Sequence, residues 1–291
     1  MPVVLITGCS SGFGRAAALA FARAGYTVHA SMRNLSRGES LRTIALQERL
    51  DVQLVSMDVT QPAQFGPIVE AIVARSGRLD VLVNNAGILH PGAFEDLTES
   101  QFRAVMETNA IAPLLLARAV LPQMRRQAGG LIINISSLSG VAGLPCDVAY
   151  TASKFAIEGA TEALRHEVDR WSIRVALVEA GLYATGIFAP GMSEESVLPR
   201  DYPMDSPYRV LVEHKLLELR KRMPEAFDPA TVGELLVRIA KSDSRQLRWP
   251  ADGVATRVLG TLFAHDDAGR DQFLRNVSGT EWWSQGAERP V

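Results

Sequence analysis

The run Thr7-Gly8-Cys9-Ser10-Ser11-Gly12-Phe13-Gly14 constrains the fold more than any other stretch of the chain. It follows an apolar, strand-like segment, Val3-Val4-Leu5-Ile6. It leads into Phe13–Ala24, an Ala-rich segment with apolar positions at helical spacing. Strand, glycine turn and helix in that order make a phosphate cradle. Glycines let the backbone turn sharply and approach a pyrophosphate, and the helix N-terminus adds free N–H groups and a positive dipole end. Gly8, Ser10, Ser11, Gly12, Phe13 and Gly14 are therefore candidate cofactor contacts. The spacing is G-x-x-x-G-x-G, not the commoner G-x-G-x-x-G. Taken alone, the glycines also fit a strand–helix turn with no ligand.

The rest of the chain repeats this rhythm. Strand candidates are Val3–Thr7, Thr27–Ser31, Val52–Met57, Val81–Val83, Leu131–Ile135 and Arg174–Val178. Most are continuously apolar, as strands covered by helices on both faces are. Helix starts are marked by the capping box Thr98-Glu99-Ser100-Gln101 and by Asp228-Pro229. The alternation predicts an α/β fold: a Rossmann-type doubly wound parallel sheet of about seven strands, with helices on both faces. One domain is expected over 1–291. The rhythm breaks in an excursion, 183–225, read as a substrate-binding loop and helix and punctuated by Pro190, Gly191, Pro199, Pro203 and Pro207. A helix with Val212, Leu216, Leu219 and Met223 on one face closes it. Residues 265–291 read as a C-terminal tail.

Composition removes several classes of function. Hydrophobic residues make up 47% of the 291, which argues against disorder. The net charge of -2 and the lack of a basic stripe argue against nucleic acid. Cys9 and Cys146 suit neither a zinc site nor a disulfide framework, so a reducing, cytoplasmic setting is expected and no metal site is read. No signal peptide is visible, and no apolar run reaches the roughly 20 residues of a membrane helix.

Charge also selects the cofactor. The end of the second strand meets the adenosine ribose, where a carboxylate selects NAD and an arginine accepts a 2′-phosphate. From Met1 to Gly38 there is no Asp or Glu, and the strand ends Ala30-Ser31-Met32-Arg33. Arg33 is a bidentate phosphate partner, so NADP(H) is expected over NAD(H).

Tyr150-Thr151-Ala152-Ser153-Lys154 opens another helical segment. Residues four apart share a helix face. A nearby ammonium favours phenolate, so Lys154 is expected to lower the Tyr150 pKa and make Tyr150 an acid–base group. Asn109 is followed four residues later by Pro113, which has no N–H. In a helix the Asn109 carbonyl then loses its partner and would hold a water, or the residue is a plug in a kinked helix.

Over about residues 1–185 the chain resembles the short-chain dehydrogenase/reductase family, in its compact single-domain branch. The matching pieces are Thr7–Gly14, Asp58-Val59, Asn84-Asn85-Ala86-Gly87, Asn109, Ser136-Ser137, Tyr150-x-x-x-Lys154 and Gly181…Thr185, in the family's order. The resemblance implies hydride transfer between a nicotinamide and a carbonyl or alcohol. It implies that Ser137 holds the substrate oxygen, Tyr150 exchanges a proton with it, Lys154 binds the nicotinamide ribose and Asn109 supports a proton-carrying water. Asp58 and Val59 would face the adenine. Asn85, Ala86 and Gly87 would line the cofactor cleft, and Tyr183 and Thr185 would meet the nicotinamide half. Ala180 stands where the family has proline, which relaxes the backbone there.

The glycine turn, the strand end at Arg33 and the long excursion are similar to the subgroup acting on steroids, retinoids and other bulky alcohols. Ile187, Phe188, Pro190, Met192, Val197 and Leu198 would suit an apolar ketone or secondary alcohol. The competing function is a catalytically silent NADP-binding regulatory protein on the same fold, although Asn109, Ser137, Tyr150 and Lys154 are all present. By analogy a homodimer or homotetramer is expected, through helices near Pro113–Gln127 and Tyr150–Trp171. Cys146 reads as a buried filler, and His90 and His166 as packing or surface residues. Trp282-Trp283 either joins a subunit interface or covers the core.

Overall fold

Alternate residues of the first strand, β1 (Val3–Ile6), enter two different cores, and that alternation organises the molecule. In this computed structural model, which describes residues 1–188, 197–199 and 201–289, Val4 and Ile6 join one buried cluster and Val3 and Leu5 the other. Successive strand side chains point to opposite faces, so a strand with all four residues buried needs a layer on each side.

The other strands are β2 (Thr27–Met32), β3 (Val52–Ser56), β4 (Val81–Asn84), β5 (Gly130–Ile135), β6 (Ile173–Glu179) and β7 (Arg248–Pro250). They form one seven-stranded sheet in the order β3-β2-β1-β4-β5-β6-β7, and every pairing is parallel. The order reverses direction at β1, between β2 and β4, which opens a crevice at the carboxyl ends of the strands. The expected doubly wound sheet is present. Its seventh strand, β7, is one the sequence did not announce.

The helices are α1 (Gly12–Arg23), α2 (Glu39–Gln47), α3 (Phe65–Ser76), α4 (Glu99–Met106), α5 (Ala112–Arg126), α6 (Val148–Val168), α7 (Arg209–Arg222), α8 (Pro229–Lys241), α9 (Gly253–Ala264), α10 (Asp267–Ser278) and α11 (Glu281–Ser284). Phe21 of α1 and Leu235, Leu236 and Ile239 of α8 cover one face. Val69 of α3 and Leu116, Val120 and Met124 of α5 cover the other. Thr98 caps α4 in the capping box expected of it, and Asp228 caps α8 through the N–H of Ala230.

Helices α4 and α5 run on through a π turn, Glu107–Ile111, as one 28-residue helix. It is long and apolar enough to cross a membrane by length and composition, a length the sequence reading did not expect. Half of its most apolar window is buried inside the fold, with Leu116 and Met124 packed against the sheet.

The excursion folds into α7 and a small apolar cluster containing Cys146, Val197, Leu198, Tyr202 and Val212. Pro190, Gly191 and Met192 lie outside the described residues. Tyr202 and Ser206 both donate to the Asp96 carboxylate, which ties the excursion to the turn before α4. The tail is helical. Trp282 and Trp283 pack on the α7 cluster, with Trp282 edge-on to His214 at 5.5 Å.

Candidate active site

The glycine turn is held mainly by its own neighbours. Gly8 has φ +74°, a conformation that disfavours any Cβ. Gly14 sits so close to the turn that a Cβ there would lie 2.4 Å from the Gly8 carbonyl oxygen and 2.6 Å from Asn85 Nδ2. Asn85 Nδ2 donates to Thr7 O at 2.7 Å, and the Thr7 hydroxyl accepts from the N–H groups of Asn85 and Ala86. The Asn85 side chain is thus a brace behind the turn, while the segment Asn85-Ala86-Gly87 lines the cleft as expected. At the start of α1, Ser11 makes no side-chain cap and the first turn carries no acid. Those N–H groups and the dipole end remain for an anion.

A cleft of about 1950 Å³ runs from this turn across the carboxyl ends of the strands. Gly8, Ser10, Ser11, Gly12 and Phe13 line its middle. Arg33, Asp58 and Val59 line one end, and Ser137, Tyr150 and Lys154 the other. Arg33 is exposed and forms no ion pair among the described residues. Asp58 Oδ1 accepts from the N–H and hydroxyl of Thr60, which fixes the loop at that end.

Helix α6 brings Tyr150 and Lys154 onto one face, and a buried polar chain sets its position. Asn84 Nδ2 donates to Pro113 O and to Asn134 Oδ1, and Asn134 Nδ2 donates to Thr161 Oγ1 on α6. Asn109 lies in the π turn, where Ala112 N–H reaches back to Glu107 O. Its amide exchanges two hydrogen bonds of 2.9 Å with the main chain of Ile88, and Nδ2 also donates to Ser153 Oγ at 3.2 Å. π turns recur at functional sites because they re-aim side chains within a helix.

Lys154 is buried, and its Nζ donates to Ile135 O at 2.8 Å. Burial pushes its ammonium down to about 8, with the Glu158 charge pulling it back up. The Lys154 charge was expected to lower Tyr150, but the phenol moves the other way. Burial pushes Tyr150 up to about 12, a hydrogen bond with Ser137 pulls it down and the Asp147 charge pushes it further up. Burial of the phenol outweighs the nearby cation: Lys154 Nζ lies over the ring, 5.5 Å from its centroid, and one of its three N–H groups is given to Ile135 O.

Two expected contacts take other forms. Tyr183 is 2% exposed, its hydroxyl donates to Ala251 O, and its ring packs edge-on to Phe13 at 5.0 Å. Its ring therefore belongs to the core, while Tyr183 and Thr185 both contribute to the lining of the cleft, as the expected backbone contact near Tyr183 requires. Ala180 is buried, and the backbone beside it is fixed from outside. Asp252 Oδ2 accepts from Gly181 N at 3.1 Å, and Asp252 Oδ1 caps α9 through Ala255 N at 2.7 Å. Replacing Asp252 by Ala removes both bonds. The expected outcome is a stability loss of about 1–2 kcal/mol, seen as a lower Tm, with a several-fold higher KM for the nicotinamide cofactor. An unchanged KM would show that the Gly181 loop does not depend on this anchor.

The helix of the excursion, expected to bind substrate, forms another wall of the cleft, although the sequence assigned none of its residues a contact there. His214, Lys215, Leu216, Leu219 and Arg222 of α7 line it, with Phe273 and Leu274 of α10. Asp147 lies beside Tyr150, and burial raises its carboxyl to about 6 against the pull of Lys215. The α7 residues carry no motif, and only the folding of the excursion brings them to the site. Cys146 is the buried filler expected, and burial pushes its thiol up to about 12.

Residues 2–196 match the family model for short chain dehydrogenase. The chain belongs to the short-chain dehydrogenase/reductase family. The Bacillus subtilis oxidoreductase YusZ is 35% identical over 251 residues, 85% of this chain and 88% of YusZ. Retinol dehydrogenase 8 of Bos taurus is 34% identical over 256 residues, 84% of this chain and 80% of that protein. A solved short-chain dehydrogenase from Streptomyces avermitilis superposes with a TM-score of 0.77 at 30% identity, covering 98% of both chains. This short-chain dehydrogenase/reductase is therefore an oxidoreductase of alcohol or carbonyl groups that works with a nicotinamide cofactor, and its resemblance extends to the retinoid-like subgroup.

Proposed function

We propose that this chain is an NADP(H)-dependent oxidoreductase of bulky, apolar ketones and secondary alcohols, with Tyr150 as its acid–base group. The observation that carries the reading is one cleft with a free arginine at the adenosine end and Ser137, Tyr150 and Lys154 at the other. The glycine turn fits the cofactor, since its first-turn N–H groups are unclaimed and no carboxylate stands near Arg33 in sequence. When bound, the nicotinamide supplies or receives the hydride.

Each residue then has a defined task. The first turn of α1 and Arg33 hold phosphates. Lys154 and the loop at Thr185 hold the nicotinamide half. The Ser137 hydroxyl and the Tyr150 phenol meet at the substrate oxygen, and Tyr150 Oη gives that oxygen its proton in reduction. Asn109, braced on Ile88 and Ser153, keeps α6 in register with the loop after β4.

Leu144, Pro145, Leu182, Leu216, Leu219 and Phe273 give the substrate end an apolar lining, which supports a bulky apolar substrate. The name of the bovine relative, a retinol dehydrogenase, supports the bulky, apolar character of the substrate. The test is a panel of ketones and alcohols followed through NADPH absorbance. Turnover of small polar sugars alone would overturn the substrate class. NADPH binding with no turnover of any carbonyl would favour a regulatory protein.

Replacing Arg33 by Ala tests the cofactor. A charge-assisted phosphate contact is worth about 1.5–3 kcal/mol. The expected result is KM for NADPH raised roughly 10- to 100-fold with NADH little affected. Equal effects on the two cofactors would remove Arg33 from 2′-phosphate recognition.

A further inference from the structure

Behind Lys154 lies a group of buried acids that hydride transfer does not use. Glu158 stands one turn after Lys154 on α6 and is 3% exposed. Glu179 ends β6 and is 0% exposed. Arg248 of β7 reaches both. Its Nε donates to Glu158 Oε2 at 2.9 Å and lies 4.0 Å from Glu179 Oε1, while Nη2 binds Glu162 Oε2 at 2.8 Å. One guanidinium therefore serves three carboxyl groups. Glu158 Oε1 and both carboxyl oxygens of Glu179 are buried and have no well-aligned hydrogen-bond partner among the described residues, although Ser136 Oγ faces Glu158 and the main-chain N–H groups of Glu179 and Trp249 face Glu179. The pocket is tight: a Cβ on Gly140 would lie 2.6 Å from Ser136 Oγ and 2.8 Å from Glu158 Cγ.

Two carboxylates this deep do not both stay ionised beside a cation they share with a third. One proton between them removes a charge. It also turns one carboxyl oxygen of the pair from an acceptor into a donor.

We propose that Glu158 and Glu179 share one proton at neutral pH and act as a positioning pair that keeps Lys154 in its ammonium form. The inference rests on the reading of Tyr150 and Lys154 given above. Glu179 carries the proton, because it is the more deeply buried and the farther from Arg248. Glu158 then keeps its charge, divided between Arg248 and Lys154. The acceptor of Lys154 Nζ, Ile135 O, is neutral, so Glu158 is the anion that opposes the effect of burial on the lysine.

The groups facing the pair come from several elements. They are Lys154 and Glu162 on α6, Arg248 on β7, Ser136 at the end of β5, and the main chain of Glu179 and Trp249. Burial and the Glu158 charge move Glu179 up to about 8, in keeping with the shared proton.

The test uses the full chain with near-isosteric variants, Glu158→Gln and Glu179→Gln. Infrared spectroscopy at pH 7 should show a protonated-carboxyl C=O stretch in the wild type that is lost in Glu179→Gln. NMR of 15N-labelled lysine should show the Lys154 titration in Glu158→Gln moved down by ~1 pH unit or more. The pH profile of kcat should move the same way. Glu179→Gln should leave the Lys154 titration near its wild-type position. A wild type without the infrared band, or a Glu158→Gln protein whose Lys154 titration does not move, would overturn the proposal. If Glu158→Gln does not fold, the band and its loss in Glu179→Gln decide whether the proton is shared. Neither spectroscopic readout needs turnover. A protein that passes both and reduces no carbonyl would overturn the ketone reading alone.

Discussion

Replacing Tyr150 by Phe lowers kcat for carbonyl reduction by roughly 10²–10⁴, with Tm and NADPH affinity near wild type. The substitution removes one oxygen, whose partner within the chain is the Ser137 hydroxyl. It leaves the ring under Lys154 and the rest of α6 in place. What disappears is the proton that the substrate oxygen must receive as hydride arrives. The direction of the Tyr150 shift adds a pH dependence. Burial pushes the phenol up to about 12, so at pH 7 it carries its proton and is ready to act as an acid. Alcohol oxidation needs the phenolate, whose population rises tenfold per pH unit below that value. Oxidation should therefore accelerate as pH rises from 7 towards 8, below the point at which Lys154 loses its own proton, while reduction does not. An oxidation rate that is flat over that range would remove Tyr150 as the base, and a Tyr150→Phe enzyme with wild-type kcat would remove it altogether.

Replacing Gly14 by Ala is expected to have the largest effect on the fold and to abolish cofactor binding with it. The added methyl would sit 2.4 Å from Gly8 O and 2.6 Å from Asn85 Nδ2, and the first of these is backbone. Relief requires α1 to back away from the turn. The Asn85 amide must give way as well, which breaks its bonds to Thr7 O and Gly8 O, at about 1 kcal/mol each. Overpacking adds about 1–3 kcal/mol. The sum is several kcal/mol out of the 5–15 kcal/mol typical of a domain. The measurement is a denaturant melt together with NADPH fluorescence titration. A Gly14→Ala protein with wild-type midpoint and affinity would show that the turn is more compliant than its contacts imply.

The sheet was legible where burial wrote a continuous apolar run, as in β1, β4, β5 and β6. Strand β7 was not, because Arg248-Trp249-Pro250 is short, charged and carries a proline that an edge strand alone tolerates. The candidate catalytic group was legible because Tyr150 and Lys154 share one helix and Ser137 follows the end of β5 by two residues. The direction of the Tyr150 shift was not, since it depends first on how deeply the folded chain buries the phenol. The Tyr183 ring faces Phe13 and Phe227, a fact of packing that no local pattern encodes. Asp252 and the particular α7 residues of the cleft were not legible for the same reason, since each meets the site across a long stretch of sequence.

The anchor at Asp252 has a consequence for how the protein is made. Gly181 waits for a carboxylate 71 residues downstream. At roughly 5–20 residues per second of synthesis, that interval lasts several seconds. The glycine turn and the Arg33 end are complete in the emerging chain well before it elapses. The nucleotide-holding half of the enzyme is thus synthesised whole while the reactive half still lacks its last fastening, so the growing chain passes through a stage built for capture but not for turnover.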